Sequence, residues 1–322
     1  MTIPVILMLV GFTSLYYGAE WLVEGSIKLS ANFNISKVVV GLVLVAFGTS
    51  SPELFVNLIA ALNGRTGFAL SNISGSNLTN LCIGFGVCTL VGSLYVNRAN
   101  FTIDLIYFAL TPLLIWGFMI SSSNMTLPFW SAWPLLALFA LYLYFISRRA
   151  REEALPGDEA PPRNGFMGLF QFLIGCGGLY LGGELVVRNA INIGNYLGIS
   201  ETVLGVTVVA FGTSIPDTVA SIVAVQKKEI DIAVGNLLGS NIFNILLVLS
   251  STLLFSGVAL EADPSLVMDY GVVTVASIFF ILLALFSQRI AKTSGLILIL
   301  IYFSYILFRV LLATGFVVGF RI

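Results

Sequence analysis

The chain has 322 residues, 58% of them hydrophobic and only 10% charged, with a mean hydropathy of +1.00 and a formal net charge of −1. Soluble domains carry about 25% charged residues, so a water-facing surface is excluded, and the near-neutral balance gives no electrostatic case for nucleic acid or an acidic partner. Histidine is absent and Cys82, Cys88 and Cys176 form no C-x-x-C pair, which argues against zinc sites and histidine acid–base chemistry.

The N-terminal stretch MTIPVILMLVGF lacks a basic n-region and a small-residue cleavage site, so it reads as a first membrane helix and not a removable signal. A spanning helix needs about 20 apolar residues. In chain order the predicted spans are 3–27, 38–62, 69–95, 101–120, 127–146, 166–187, 202–226, 232–258, 267–287 and 294–318. The runs are long and lack alternation, and in lipid only helices or closed barrels satisfy the backbone. The expected fold is therefore an all-α membrane protein with ten transmembrane helices.

The longest polar stretch, SRRAREEALPGDEAPPRNG at 147–165, marks a linker between two groups of five helices. Lys and Arg in the connections set orientation. Eleven fall on the side that holds Lys28, Arg98 and this linker, and three (Arg65, Arg188 and Arg321) on the other. That bias predicts a multi-pass plasma (inner) membrane protein with a cytoplasmic linker and both termini outside.

The two groups are copies. A shift of 164 residues carries LYYGAE (15–20) onto LYLGGE (179–184), VAFGTSSPE (45–53) onto VAFGTSIPD (209–217), and GSNLTN (75–80) onto GSNIFN (239–244). Because five is odd, the second copy enters the membrane from the opposite side. The expected organisation is a first five-helix repeat (1–146), the cytoplasmic linker (147–165) and a second, inverted repeat (166–322). That arrangement places substrate near the midplane between the halves.

Glu53 is the only charged side chain between Val38 and Leu62, and Asp217 the only one between Thr202 and Gln226. An acid at mid-membrane costs about 2.5–3.5 kcal/mol on insertion scales, so it faces a polar cavity and marks a function. Thr49 lies one helical turn before Glu53 with Ser50 beside it, and Thr213 and Ser214 repeat this before Asp217. Pro52 and Pro216 displace the carbonyls four residues back, which predicts kinks with backbone oxygens near 46–48 and 210–212 available to a cation. The next helix of each half contributes Ser76, Asn77 and Asn80, and Ser240, Asn241 and Asn244, with Gly75 and Gly239 permitting close approach. The all-oxygen set with charge −2 suits hard cations, and Ca2+ accepts six to eight such ligands.

The paired segments GTSSPE…GSNLTN and GTSIPD…GSNIFN resemble the α-repeats of the Ca2+/cation antiporter superfamily, specifically its prokaryotic-type Na+/Ca2+ exchangers. The resemblance implies an antiporter, not an enzyme, with no cofactor, carrying Ca2+ and Na+ as bound ions in the bilayer by alternating access. Residue by residue it implies binding roles for Thr49, Ser50, Glu53, Ser76 and Asn80, for Thr213, Ser214, Asp217, Ser240 and Asn244, and for the carbonyls of Ala46 and Ala210. It also implies that the first and sixth helices, which bear Glu20, Glu24 and Glu184, slide past the core. The K+-dependent branch carries Asp where this chain has Asn244, so K+-independent transport is expected. Asp217 stands where many prokaryotic members have Glu, and Asn57 stands where its mirror is Ser221. The alternative readings are a proton-coupled Ca2+/cation antiporter and a passive cation channel.

Overall fold

The computed structural model describes residues 2–122, 125–152, 165–198, 210–261, 264–287 and 289–313. Its helical segments, in chain order, are α1 (Thr2–Phe33), α2 (Lys37–Leu62), α3 (66–91), α4 (Arg98–Ser121), α5 (Ala132–Glu152), α6 (Gly165–Tyr196), α7 (210–226), α8 (Ile230–Ser256), α9 (Pro264–Phe286) and α10 (Lys292–Ala313). Among the described residues, eight helices are long and apolar enough to cross a membrane: all of these except α3 and α7. The chain is a multi-pass membrane protein.

Several helix ends differ from the predicted spans, with α1 running on to Phe33, α3 covering 66–91 and α6 reaching Tyr196. The helix before the linker runs on to Glu152, because Arg148 and Glu152 pair at i,i+4 and the polar residues there continue the turn. The next helix opens at Gly165. The rest of the expected linker lies outside the described residues, as does the start of the span placed at 202–226.

Local chemistry sets several ends. Ser36 caps α2 by accepting from Val39 N at 3.4 Å, and Asn97 caps α4 by accepting from Ala99 N at 3.1 Å. Gly257, with φ of 65°, closes α8 in the left-handed region. Among the described residues, a 3-10 turn at Phe129–Ser131 precedes α5, and two short antiparallel pairings join distant connections. Residues 94–95 (β1) pair with 289–290 (β4), and 126–127 (β2) pair with 260–261 (β3).

The helices divide into a core and a flank. In α8 every residue from Ile232 to Phe243 is buried, and α2, α3 and α7 surround it. The flank is the long pair α1 and α6, packed at backbone distance through facing glycines. A Cβ on Gly11 would lie 2.9 Å from Gly182 O, one on Gly18 2.7 Å from Leu179 N, and one on Gly25 2.6 Å from Gly168 O. The three glycines recur every seven residues, so one face of α1 is a smooth strip against α6. The same device brings α2 onto α8, where a Cβ on Gly41 would lie 2.8 Å from Ile232 O and one on Gly235 2.9 Å from Leu42 N.

Candidate cation site

Four helices bring the duplicated polar segments together. The carboxylate of Asp217 (α7) accepts from Asn80 Nδ2 (α3) at 2.7 Å, from Ser240 Oγ (α8) at 2.8 Å and, more weakly, from Ser50 Oγ (α2) at 3.5 Å. Glu53 lies within electrostatic reach of Asp217 and of Ser214. Ser76 Oγ is 3.0 Å from Thr213 Oγ1, and Ser214 Oγ donates to Ser76 O at 3.4 Å. Asn244 Nδ2 donates to Asn77 Oδ1 at 3.1 Å. Glu53, Asp217, Ser76, Asn80, Ser214, Ser240 and Asn244 have no measurable exposure.

The backbone is irregular where it meets these side chains. π-helical turns begin at Asn80 (Asn80–Gly84) and at Asn244 (Asn244–Leu249), the same position in each repeat, and a third covers Val40–Val45 just before Ala46. Such turns re-aim side chains and are frequent at functional sites. The two proline positions behave differently from each other. In the second half the helix breaks at Ser214 (φ −90°, ψ 1°), as expected from Pro216. In the first half the helix stays α through Pro52, and the disturbance falls a turn earlier. Hydroxyls there take up nearby carbonyls: Thr49 Oγ1 donates to Val45 O at 2.9 Å and lies 3.3 Å from Ala46 O, and Ser51 Oγ donates to Phe47 O at 2.6 Å. Ala210 opens the described part of α7.

The structure adds residues that the sequence reading did not single out. Asn236 joins the core network: its Oδ1 lies 2.9 Å from Thr49 Oγ1, whose one hydrogen it shares with Val45 O, and its Nδ2 donates to Asp217 O at 3.1 Å and to Ser221 Oγ at 2.9 Å. Its repeat mate Asn72 accepts from Thr213 Oγ1 at 3.3 Å. Each lies one helical turn before the Ser of its own repeat motif, Ser76 or Ser240, and that spacing could have identified both. Asn77 and Asn241 instead join helices: Asn77 Nδ2 donates to Asn241 O at 3.3 Å, and Asn241 Nδ2 bonds Leu237 O within its own helix.

Two further acids inside the expected spans explain themselves differently. Asp104 accepts from Tyr142 Oη and Arg149 Nη1, both at 2.9 Å, tying α4 to α5. Asp269 accepts from Tyr305 Oη and Arg309 Nη1, tying α9 to α10. These are neutralised structural pairs. Among the described residues, no Lys or Arg pairs with Glu53 or Asp217. On the flank, Glu184 pairs with Arg188, whereas Glu20 and Glu24 both reach Lys227, at 3.3 and 2.9 Å.

The donor set has a consistent character. Among the described residues, the buried side-chain atoms that find no hydrogen-bond partner around the acids include five acceptor oxygens: both of Glu53, and the Oδ1 atoms of Asn57, Asn80 and Asn244. Burying such oxygens without a partner is costly. No three His, Cys, Asp or Glu side chains converge among the described residues, so the chemistry offered is that of neutral oxygens around two acids. That suits a hard cation and not a transition metal.

The chain is similar to known membrane proteins over most of its length. The family described as sodium/calcium exchanger protein matches residues 3–148 and 167–311. The inner membrane protein YrbG of Escherichia coli is 32% identical over 298 residues, covering 88% of this chain and 89% of that protein. The sodium/calcium exchanger MaX1 of Methanosarcina acetivorans is 25% identical over 349 residues, covering 95% and 98%. Among solved structures, the sodium-calcium exchanger NCX_Mj soaked with zero Na+ and Ca2+ superposes with a TM-score of 0.83 at 29% identity, covering 95% of this chain and 99% of that one. With its sequence matched in both halves and its fold shared over nearly the whole length, the chain belongs to the sodium/calcium exchanger protein family.

Proposed function

We propose that this protein exchanges Na+ for Ca2+ across the membrane by alternating access, independently of K+, and that Glu53 and Asp217 hold the ions at its centre. The observation that carries the reading is the cluster of buried, unpartnered oxygens around two acids that no Lys or Arg neutralises among the described residues. The ligand set is Thr49, Ser50, Glu53, Ser76, Asn80, Thr213, Ser214, Asp217, Ser240 and Asn244, with the carbonyls of Ala46 and Ala210. Ca2+ and Na+ share these oxygens and cannot be fully bound together. Bound ions neutralise the acids, and only the neutralised core slides past its apolar flank. An empty core resists that passage, which favours exchange over leak.

In this reading ten helices cross the membrane as two inverted repeats, 1–146 and 166–322, joined by a cytoplasmic linker at 147–165, with both termini outside. Mirror-related contacts support it. Thr49 bonds Asn236 as Thr213 bonds Asn72, and the pairing of β1 with β4 repeats in exchange as β3 with β2. The glycine-faced α1–α6 pair is suited to move as one body. Its tie to the core through Lys227 is partly exposed, and exposed ion pairs contribute only about 0–1 kcal/mol. K+-independence follows from Asn244, an amide where a third acid would otherwise stand.

The test is uptake of radiolabelled Ca2+ into Na+-loaded proteoliposomes. Uptake that requires the Na+ gradient and ignores K+ supports the proposal. Uptake driven by a pH gradient without Na+ would replace it with proton coupling, and flux without any counter-ion gradient would replace it with a channel.

A further inference from the structure

We infer that Asn57, through its Oδ1, is an additional Ca2+ ligand on the Glu53 side of the site, making the two halves of the ion cage chemically unequal. The inference rests on the exchange reading above and deepens it. It begins from a position, Asn57 and its mate Ser221, where the repeats differ in both residue and bonding. In the second half, Asn236 Nδ2 spans the helices, donating to Asp217 O at 3.1 Å and to Ser221 Oγ at 2.9 Å. That amide is used up, and Ser221 is tied to it.

In the first half the mate of Ser221 is Asn57, longer and with its own donor. Asn57 Nδ2 donates to Glu53 O at 2.7 Å, occupying the carbonyl that by symmetry belongs to Asn72. Asn72 Nδ2 is left buried without a partner, and so is Asn57 Oδ1, although Asn57 has no measurable exposure.

The bond to the carbonyl also settles which end of the amide is free. Only the NH2 group can donate to Glu53 O, so the oxygen is the free end. It belongs to the same helix face as the Glu53 carboxylate, one turn along, and both carboxylate oxygens of Glu53 lack partners as well.

The Asp217 side is the opposite case. Its carboxylate is held by Asn80 and Ser240, at 2.7 and 2.8 Å. One acid is prearranged by protein donors, whereas the two Glu53 oxygens and Asn57 Oδ1 stay without partners. Ca2+, which takes six to eight oxygens and is tuned by ligand number, gains most from that open side.

The experiment uses the full-length protein and two readouts: Ca2+-dependent thermal stabilisation in detergent, and the external Ca2+ that half-saturates uptake into Na+-loaded proteoliposomes. Asn57→Ser restores the symmetric residue and removes the oxygen. The expected result is a rise of about tenfold in half-saturating Ca2+ in both assays. A change of less than twofold, in a protein whose wild type responds, would overturn the inference and leave Asn57 as a packing residue. Asn57→Asp keeps an oxygen in place and is expected to bind Ca2+ at least as tightly as wild type, and weaker binding overturns the inference even if the Ser variant fails to fold. A wild type that shows neither response refutes the exchange reading instead.

Discussion

Replacing Glu53 by Gln separates the cost of the site from its use. Asp217 receives two short hydrogen bonds, from Asn80 and Ser240, and each such bond to a charged group contributes about 1.5–3 kcal/mol. Its charge is therefore compensated by roughly 3–6 kcal/mol. Glu53, equally buried, receives none. Gln loses no protein hydrogen bond and removes an acid whose placement at mid-membrane costs about 2.5–3.5 kcal/mol. Its own amide is also unpartnered, so the expected net gain in the ion-free protein is about 1–3 kcal/mol, or roughly 2–6 °C in melting temperature. Ca2+ at a thousand times its dissociation constant stabilises the wild type by about 4.1 kcal/mol, and the variant forfeits this. The two melting curves should then cross: the variant melts higher in chelator without Na+, and the wild type melts higher in saturating Ca2+. The assay is thermal unfolding of purified protein at mildly alkaline pH, paired with Na+-driven Ca2+ uptake, which the variant should lack. A variant less stable than wild type in chelator, or one equally stabilised by Ca2+, refutes the reasoning.

Further outcomes are expected elsewhere. Asn244→Asp should introduce a dependence of Ca2+ uptake on K+, because it places a third acid beside Asn77; an unchanged K+ titration would remove Asn244 as the determinant. Gly18→Ala should cost about 1–3 kcal/mol and slow exchange, since its Cβ would meet Leu179 N at 2.7 Å and neither backbone can yield; unfolding and flux assays read both effects. Arg309→Met, which strips the guanidinium from buried Asp269, should destabilise by about 3–5 kcal/mol, and adding Asp269→Asn should recover most of that loss. Asp217→Asn should abolish exchange yet stay folded, because the Ser240 and Ser50 hydroxyls can turn to accept from the new amide; a loss of expression would contradict that.

Much of this protein is legible in the chain alone. Long apolar runs with few charges dictate membrane helices, since lipid offers the backbone no other partner. The 164-residue repeat identifies the paired segments, and a lone acid in each marks the candidate site because burying charge without purpose is too costly to keep. Residue order could not tell which acids were neutralised. Asp104 and Asp269 look like Glu53 and Asp217 in sequence, and only tertiary packing brings Arg149 and Arg309 to the first pair and, among the described residues, no Lys or Arg to the second. Nor could periodicity place the π turns that start at Asn80 and Asn244, or reveal that Asn57 takes the carbonyl its mirror residue leaves to Asn236. Composition and period act through local backbone and solvent preferences. Which side chains become partners across helices is decided only when the helices meet.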